Sequence, residues 1–330
     1  MNKAIIAILA LTLATVLAGL GFYTYTHSTS PISARSSIPN AVVDLWTQWK
    51  DANNKKYGTQ DQARLKIFYQ NYQKVMTHQS DPSKTYSMGF TKFMDLTPEE
   101  FKAIYLTAAR KTNAKRIFSK ASVPSVKAAA ASVDWKDKGA VTGIKDQGQC
   151  GSCWAFGTVG ALESLSFISG QGLKIFSEQQ LVDCSTSYGN DGCNGGLGEQ
   201  AFHYVQDNGI TEESDYPYEA VDQSCQTEGG AFKISGYVSV PHSDVDELAV
   251  AVTQQPIDIA VDAENWQLYS GGVFDDCGTN LDHEVLLVGY TADYWIVKNS
   301  WSESWGEEGY IRLARGNTCG LADDAYYPTA

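Results

Sequence analysis

The sequence predicts an α+β protein with two lobes, one helical and one built on an antiparallel, barrel-like sheet, preceded by a small helical segment. Helical hydrophobic spacing occupies much of residues 40–106. At Val133 the composition changes: glycine and cysteine become frequent and basic residues become rare. Beyond that point helical patterns come first and strand patterns follow, which is typical of α+β proteins. The chain has 330 residues, 43% of them hydrophobic, which is enough for a substantial core.

The chain begins with a leader, which we assign to residues 1–25. An almost wholly apolar run from Ala4 to Leu20 follows Lys3, a pattern typical of a secretory signal peptide. A membrane anchor is the alternative, because the apolar stretch through Tyr23 nearly spans a bilayer. Either interpretation directs the rest of the chain into the secretory pathway.

Three helices are predicted after the leader, at 41–57, 61–79 and 98–105. In the first, Val43, Trp46 and Trp49 share one helical face. The third opens with a capping box, Thr97-Pro98-Glu99-Glu100. Residues 107–130 then lack apolar periodicity and are rich in alanine, serine and basic residues, so we expect an exposed, cleavable linker there.

The second part of the chain, residues 131–330, begins with three predicted helices. One follows Cys153, one follows the capping box at Ser177, and one runs from Leu197 to Asn208, before Gly209. Strand patterns come next, at Phe232 to Val240, Ile257 to Asp262, Glu284 to Tyr290, Tyr294 to Lys298 and Tyr310 to Ala314.

Charge is distributed unevenly between the two parts. Residues 1–127 contain 17 Lys/Arg and 7 Asp/Glu, net +10, whereas residues 128–330 contain 8 and 31, net −23. Electrostatic complementarity between the parts is one interpretation, and two separately solvated surfaces is the other. The acidic part would repel phosphates, so nucleic acid is not an expected partner.

The chemistry is expected at one cysteine and one histidine. Seven cysteines are an odd number for a secreted protein, which indicates an intermolecular link or a reactive thiol. Cys153 stands at the start of a predicted helix, where the dipole favours a thiolate. Of five histidines, His283 opens an apolar strand that would hold its ring firmly, and Asn299 is placed to accept from the ring N–H.

The segment from Gln147 to Phe156, Gln-Gly-Gln-Cys-Gly-Ser-Cys-Trp-Ala-Phe, resembles the papain family, and within it the cathepsin L-like group. His283 and Asn299 follow Cys153 at the separation of about 130–150 residues that is typical of this family. The resemblance implies that Cys153 is the nucleophile, His283 the general acid and base, and Asn299 the residue that orients the ring. It implies that Gln147 supplies an oxyanion-hole donor and that Trp301 shields the Asn–His hydrogen bond.

The resemblance also implies a set of substrate-binding residues. These are Gly151, Gly195, Gly196, Leu197, Gly198, Ala260, Asp282, Glu284, Trp301 and Asp324. Two of them depart from the family pattern or bear on specificity: Glu284 stands where alanine or glycine is usual, and Asp324 falls at the floor of the pocket for the second residue before the cut. We expect this pocket to tolerate a basic side chain, with the alternative that both carboxylates turn to solvent.

The family's disulfides would be Cys150–Cys193, Cys184–Cys225 and Cys277–Cys319, leaving Cys153 as a thiol. Residues 40–106 resemble the family's inhibitory propeptide, through the spacing of Arg64, Phe68 and Asn71 and of Gly89 and Asp95.

The function implied is that of a cysteine endopeptidase made as a latent zymogen and activated at acidic pH. We expect no metal ion or cofactor. The expected partners are protein and peptide substrates, the chain's own propeptide and cystatin-type inhibitors. The expected state is a monomer in the lysosome, the vacuole or the extracellular space.

Two other functions are compatible with parts of the sequence. Cys150-Gly-Ser-Cys153 is a C-x-x-C sequence, as in thiol–disulfide oxidoreductases, but no βαβ unit is predicted before it. The second alternative is an inactive relative of the family that serves as a binding module. The complete set of catalytic residue types, at Cys153, His283, Asn299 and Gln147, argues against it.

Overall fold

The computed structural model describes residues 38–107 and 129–330. The chain divides into two compact units, residues 1–74 and 75–330, which are described separately. The predicted leader and most of the predicted linker lie outside the described residues. Within those residues, no helix has both the length and the apolar character needed to cross a bilayer.

The first unit is built on helix α1 (Asn40–Ala52), a 3-10 turn and most of helix α2 (Asp61–Gln79). Trp46 stacks between Trp49 and Tyr57, with ring centroids 5.4 and 5.3 Å away. The predicted end of α1 at Tyr57 is wrong. The helix stops at Ala52 because Asn54 takes a left-handed φ of 52°, which ends the helical hydrogen-bond pattern.

Among the described residues, the second unit contains five further α-helices and nine strands. The helices are α3 (Pro98–Tyr105), α4 (Cys153–Ile168), α5 (Glu178–Cys184), α6 (Gly198–Asn208) and α7 (Val245–Gln254). The strands are β1 (Tyr86–Met88), β2 (Val133–Asp134), β3 (Gly236–Ser239), β4 (Ile257–Val261), β5 (Tyr269–Phe274), β6 (His283–Tyr290), β7 (Tyr294–Lys298), β8 (Tyr310–Ala314) and β9 (Ala325–Thr329).

The strands form one open sheet in the order β1-β5-β8-β7-β6-β4-β9-β3, and β2 pairs with β6. The pairs are antiparallel except β5 and β8, where Val273 lies opposite Arg312 in a parallel pair. The predicted α+β fold is confirmed, and the parallel pair is a detail that the prediction of an antiparallel lobe did not include.

The second unit has two hydrophobic cores, as two lobes require. The larger core surrounds the sheet and includes Ile259, Leu287 and Trp295. The smaller core lies among α4, α5 and α6 and includes Leu162 and Phe202. Because each core buries a separate set of apolar side chains, the helices and the sheet form distinct lobes, with α4 packed against β6 between them.

Two helix starts show how local sequence sets the structure. The capping box at Thr97 is confirmed: the Thr97 hydroxyl accepts from the Glu100 N–H, and the Glu100 carboxylate accepts from the Thr97 N–H. At Ser177 only half of the predicted box forms. The Ser177 hydroxyl accepts from the Gln180 N–H, but the Gln180 amide instead reaches Tyr204.

Candidate active site

Cys153 is the first residue of α4, and its side chain is buried. The N-cap residue, Ser152, does not cap the helix with its hydroxyl, which pairs instead with the Tyr218 hydroxyl at 2.6 Å. The positive end of the helix dipole therefore acts at Cys153 without a competing side chain, which favours a thiolate. Cys150 is bonded to Cys193, which excludes the oxidoreductase alternative because that function requires Cys150 and Cys153 to pair.

Helix α4 runs in the same direction as β6. A side chain on Gly157 would meet the Val285 backbone nitrogen at 3.5 Å, and one on Gly160 would meet the Leu286 side chain at 2.9 Å. Since these contacts advance together along helix and strand, Cys153 at the start of α4 lies toward the start of β6. The residue that opens β6 is the candidate histidine.

His283 is fully buried and is oriented by Asn299, with 2.8 Å between Nε2 and Oδ1. Asn299 Oδ1 also accepts from the Ser300 backbone N–H at 2.8 Å, which identifies it as the acceptor atom. Nε2 therefore carries the ring proton, and Nδ1 is the basic nitrogen of the neutral ring. Among the described residues, Nδ1 has no hydrogen-bond partner.

Burial controls the charge of this imidazole. Removal from water lowers the pKa of His283 to about 4, even though the hydrogen bond to Asn299 acts to raise it. Above that pH the ring is neutral in this covered state of the chain.

Trp301 covers the histidine. Its indole stacks on the His283 ring with centroids 4.6 Å apart and planes 25° apart. Phe93, Phe101 and Tyr105 meet the same indole edge-on, at 5.4, 5.3 and 6.2 Å between centroids. These rings bury the site from the side of α3, so water is kept from the imidazole.

Gln147 is held in one orientation by four contacts. Its Oε1 accepts from the Ser300 hydroxyl at 2.8 Å and from the Trp301 indole N–H at 3.0 Å. Its Nε2 donates to the Cys150 carbonyl at 2.9 Å, and its own carbonyl accepts from Tyr218 at 2.8 Å. With Oε1 occupied by two donors, the amide N–H groups point toward the start of α4.

The segment that follows α3 lies against the glycines predicted to bind substrate. The Thr107 hydroxyl donates to the Gly151 carbonyl at 2.9 Å. A side chain on Gly195 would collide with the Thr107 carbonyl, so the bare backbone there is needed for this approach. Gly196 differs, because a side chain there would collide with Asn190 Oδ1 and the Trp154 ring and not with the segment.

The predicted specificity pocket holds three buried carboxyl groups. Glu284 Oε2 accepts from the Gly198 N–H at 2.9 Å, at the start of α6. Asp324 Oδ1 accepts from the Tyr326 hydroxyl at 2.7 Å. Asp258, which the sequence did not indicate, contacts the same side of Gly198 as Glu284 does. Burial raises the pKa of Asp258 well above its ordinary value, and the charge of Asp324 adds to that effect.

The alternative that these carboxylates turn to solvent is wrong, since Glu284 is 4% exposed and Asp324 is 8% exposed. Ala260 and Leu197, also predicted to bind substrate, lie nearby, whereas Asp282 directly precedes His283 at the start of β6. Ala260 pairs with Glu284 across β4 and β6. Leu197 is buried at the N-cap of α6, adjacent to Gly198. Asp282, beside His283, is buried and accepts from the Ala263 N–H at 3.0 Å.

A buried ion network supports α4 from behind. Lys145 Nζ lies 2.7 Å from Glu163 on α4 and 2.6 Å from Glu178 on α5. Burial lowers the pKa of the neighbouring Lys298 to about 8. Because Glu163 and Glu178 share one ammonium group, the network fixes the two helices to each other.

Three disulfide bonds brace this lobe and the sheet: Cys150–Cys193, Cys184–Cys225 and Cys277–Cys319. This is the pairing that the family resemblance implies. Cys153 is the one cysteine outside the disulfides, all seven cysteines being within the described residues.

Four residues at the site were missed from the sequence: Ser300, Tyr218, Asp258 and Thr107. Ser300 follows Asn299 directly, so its position next to a predicted site residue could have indicated that it lies at the site. Tyr218 and Asp258 gave none, because they reach their partners Ser152 and Thr158 across 66 and 100 residues of chain.

Comparison with known proteins identifies the family. Residues 129–329 match the family described as papain family cysteine protease, and residues 46–101 match the cathepsin propeptide inhibitor domain (I29). Cathepsin L of Sarcophaga peregrina is 40% identical over 341 residues, covering 95% of this chain and 98% of that protein. Cathepsin L1 of Drosophila melanogaster is 41% identical over 320 residues, covering 88% and 86%.

Solved structures give the same result. Digestive procathepsin L 3 from the larval midgut of Tenebrio molitor superposes with a TM-score of 0.81 at 42% identity, covering 88% of this chain and 99% of that one. The recombinant stem bromelain precursor has a TM-score of 0.81 at 36% identity, with the same coverage. The chain therefore belongs to the papain family as a cathepsin L-like cysteine endopeptidase, and its propeptide inhibitor domain makes it a zymogen.

Proposed function

We propose that Cys153 and His283 hydrolyse peptide bonds as a thiolate–imidazolium pair, with Asn299 and Gln147 in supporting roles. The observation that carries this proposal is the hydrogen bond between His283 Nε2 and Asn299 Oδ1. That bond leaves Nδ1 as the proton acceptor, at the end of β6 toward which the start of α4 points. Nδ1 can then take the proton of the Cys153 thiol.

In the first half of the reaction, the Cys153 sulfur attacks the carbonyl carbon of the scissile bond. The charge that develops on the carbonyl oxygen is stabilised by the Gln147 side-chain N–H and the Cys153 backbone N–H. His283 then gives its Nδ1 proton to the leaving amine, the C–N bond breaks, and a thioester remains on Cys153. In the second half, water gives a proton to Nδ1 and its oxygen attacks the thioester. The C–S bond breaks, the acid is released, and the Cys153 thiolate and the His283 imidazolium are restored.

We further propose that residues 40–106 act as the inhibitory propeptide, residues 107–130 as the cleavable linker and residues 131–330 as the mature enzyme. The contacts of Thr107, the first residue of the proposed linker, with Gly151 and Gly195 support this, because the chain that leaves the propeptide occupies backbone that a substrate would use. Burial of His283 adds a second inhibitory effect: a neutral imidazole with a pKa of about 4 does not stabilise a thiolate.

We propose activation at acidic pH. Ion pairs join basic residues of the propeptide to acidic residues of the enzyme: Lys92 lies 2.6 Å from Asp146, and Lys102 lies 2.8 Å from Glu264. As carboxylates are protonated toward about pH 4, such pairs weaken. The opposite net charges of the two parts, +10 for residues 1–127 and −23 for residues 128–330, also attract each other. This attraction weakens as the carboxylates are protonated.

The proposed setting follows the cathepsin L-like relatives. We propose that residues 1–25 are a signal peptide and that the monomeric enzyme works in a lysosome or vacuole, or outside the cell. Its partners are then protein and peptide substrates, its own propeptide and cystatin-type inhibitors.

The mechanism is tested with Cys153→Ser and His283→Ala. We expect a folded precursor in each case that does not process itself, and a loss of kcat/KM of about 10⁴-fold or more on a fluorogenic peptide after processing in trans. His203→Ala is the matched control, because His203 is an exposed residue of α6 outside the site. Full activity in Cys153→Ser would rule out the mechanism.

A further inference from the structure

Three carboxylates lie together beside the catalytic histidine. Asp262 directly follows β4, whose last residue Val261 pairs with His283, and Asp282 directly precedes His283. With Glu264, they place one carboxylate oxygen each within 4.8 Å of one another. We call Asp262, Glu264 and Asp282 the acidic triad.

Within the acidic triad, Asp262 accepts from the Glu264 and Asn280 N–H groups, but one oxygen of Asp282 lacks a donor. Asp282 is 2% exposed, yet only its Oδ1 is bonded, to the Ala263 N–H at 3.0 Å. Among the described residues its Oδ2 has no hydrogen-bond partner. A buried carboxylate oxygen without a donor is costly, and burial together with the charge of Asp262 raises the pKa of Asp282 to about 6.

A cation from the propeptide already sits at the acidic triad. Lys102 on α3 places Nζ 2.8 Å from Glu264 Oε1. Its charge also lowers the pKa of Asp282, opposing the effect of burial. The ammonium group therefore interacts with the acidic triad beyond the single carboxylate that it touches. When the propeptide is removed, this cation leaves with it.

We propose that in the mature enzyme the acidic triad binds a basic side chain of the substrate, on the C-terminal side of the scissile bond, in the place that Lys102 holds in the zymogen. The inference rests on the proposed function, because the side of the bond follows from the role of His283. The imidazolium must lie next to the leaving amine, so the residues that leave with that amine lie nearest to Asp282. A lysine ammonium or arginine guanidinium can donate to Asp282 Oδ2 and replace Lys102 as the partner of Glu264.

This specificity differs from the one expected at Asp324. Glu284 and Asp324 lie by Gly198 at α6, and they concern the residue two positions before the cut. The acidic triad lies at the ends of β4 and β6, beside His283, and concerns the residues after the cut. The two effects can therefore be separated by changing one side of the substrate at a time.

The experiment uses mature enzyme obtained from the precursor and two quenched fluorogenic peptides. The peptides are identical up to the scissile bond, and they carry either lysine or norleucine at the two positions after it. We expect kcat/KM to be about tenfold higher for the lysine peptide at low salt, and the ratio to fall as salt screens the charges. Mass spectrometry of the products confirms that both peptides are cut at the same bond.

The variants Asp262→Asn and Glu264→Gln should each reduce the lysine-to-norleucine ratio to within about twofold of unity. A ratio between two substrates is insensitive to a general loss of folded enzyme. Glu228→Gln, an exposed acid of the helical lobe, is the matched control and should keep the full ratio.

Three outcomes would overturn the inference. One is equal cleavage of both peptides by the wild type, and another is a lysine preference that survives in both triad variants. The third is a wild type without lysine preference that binds Ca²⁺, measured by calorimetry, in a manner lost in Glu264→Gln, which would assign the triad to a metal ion. If neither peptide is cut at all, or if Cys153→Ala cuts them, the proposed mechanism has failed and not this inference alone.

Discussion

At the scale of single residues, the carboxyl groups of Glu284, Asp258 and Asp324 lie together in the region of Gly198. A glycine is required there, since any side chain would collide with Asp258 and press on Glu284. Glu284 is engaged by the Gly198 N–H at the start of α6, and the dipole of that helix favours its charge. Asp324 Oδ1 accepts from the Tyr326 hydroxyl, and Asp324 falls at the predicted floor of the pocket, where it can meet a long basic side chain.

We therefore predict that the activated enzyme cleaves dipeptide substrates with Arg-Arg as well as Phe-Arg before the cut, and that Asp324→Ala lowers kcat/KM for Arg-Arg by about tenfold or more. Burial raises the pKa of Asp258, so the Arg-Arg activity should rise with pH as the cluster ionises. Asp137→Ala, an exposed acid elsewhere, is the control. Negligible Arg-Arg turnover at every pH, or no change in Asp324→Ala, would exclude Asp324 from specificity.

At the scale of elements, the short helix α3 connects a cap to inhibition. Its eight residues carry Phe101 and Tyr105, which cover Trp301. So short a helix depends on its cap and on packing. The reciprocal bonds of Thr97 and Glu100 at its start therefore help to hold the propeptide on the active site.

We predict that Thr97→Ala weakens α3 by about 1 kcal/mol and speeds self-processing of the precursor by about fivefold at a fixed pH. The measurement is the rate at which precursor disappears on a gel. Thr47→Ala is the matched control, since Thr47 is an exposed threonine of α1 whose hydroxyl bonds only its own helix, at the Val43 carbonyl. Equal rates for both variants and the wild type would show that the cap does not limit activation.

The same scale shows what the sequence could predict. The strands Tyr294–Lys298 and Tyr310–Ala314 are observed with the predicted bounds, because each is a short apolar run bounded by turn residues. Strand β5 was missed, since Gly271 and Gly272 interrupt its pattern. Although Asp244 caps it, helix α7 was not predicted; it has only ten residues and lies between strands on either side.

Some residues of the candidate site could likewise be predicted from the sequence, and others could not. Cys153 and His283 were predicted because reactive chemistry limits which residue types and positions can serve, and they begin a helix and a strand as expected, while their roles stay predictions. Asp258, Tyr218 and the acidic triad depend on contacts between distant parts of the chain. Such contacts are set by tertiary packing, which hydrophobic periodicity does not encode.

At the scale of the whole molecule, the basic and acidic parts of the chain respond to pH together. Burial raises the pKa of Asp282 to about 6, and the charge of Lys102 acts against that rise. By linkage, docking of Lys102 is strongest when Asp282 is ionised, and it weakens as the pH falls through that range. Each exposed pair contributes little alone, so we expect the summed charge of the two parts to dominate the response to pH.

We predict that processing of the precursor, without added protease, is at least about tenfold faster near pH 5 than near pH 7 at low ionic strength. Raising the salt near pH 7 should recover part of that difference by screening. Lys102→Gln should shift the pH dependence toward neutral pH, whereas Lys233→Gln, a lysine of the mature part bonded to a backbone carbonyl, should not. Equal rates at both pH values and low salt would refute the electrostatic account.

The pairing of β1 with β5 has a consequence for the stability of the product against self-association. Tyr86 lies opposite Gly272 in this pair, so the propeptide supplies the outermost strand of the sheet. Its removal leaves β5 as an edge, and an open edge is a template for aggregation through strand addition. Two features make strand addition at that edge less favourable. Gly272 bends the backbone with a φ of 89°, and its N–H is already taken by Glu307 at 3.0 Å.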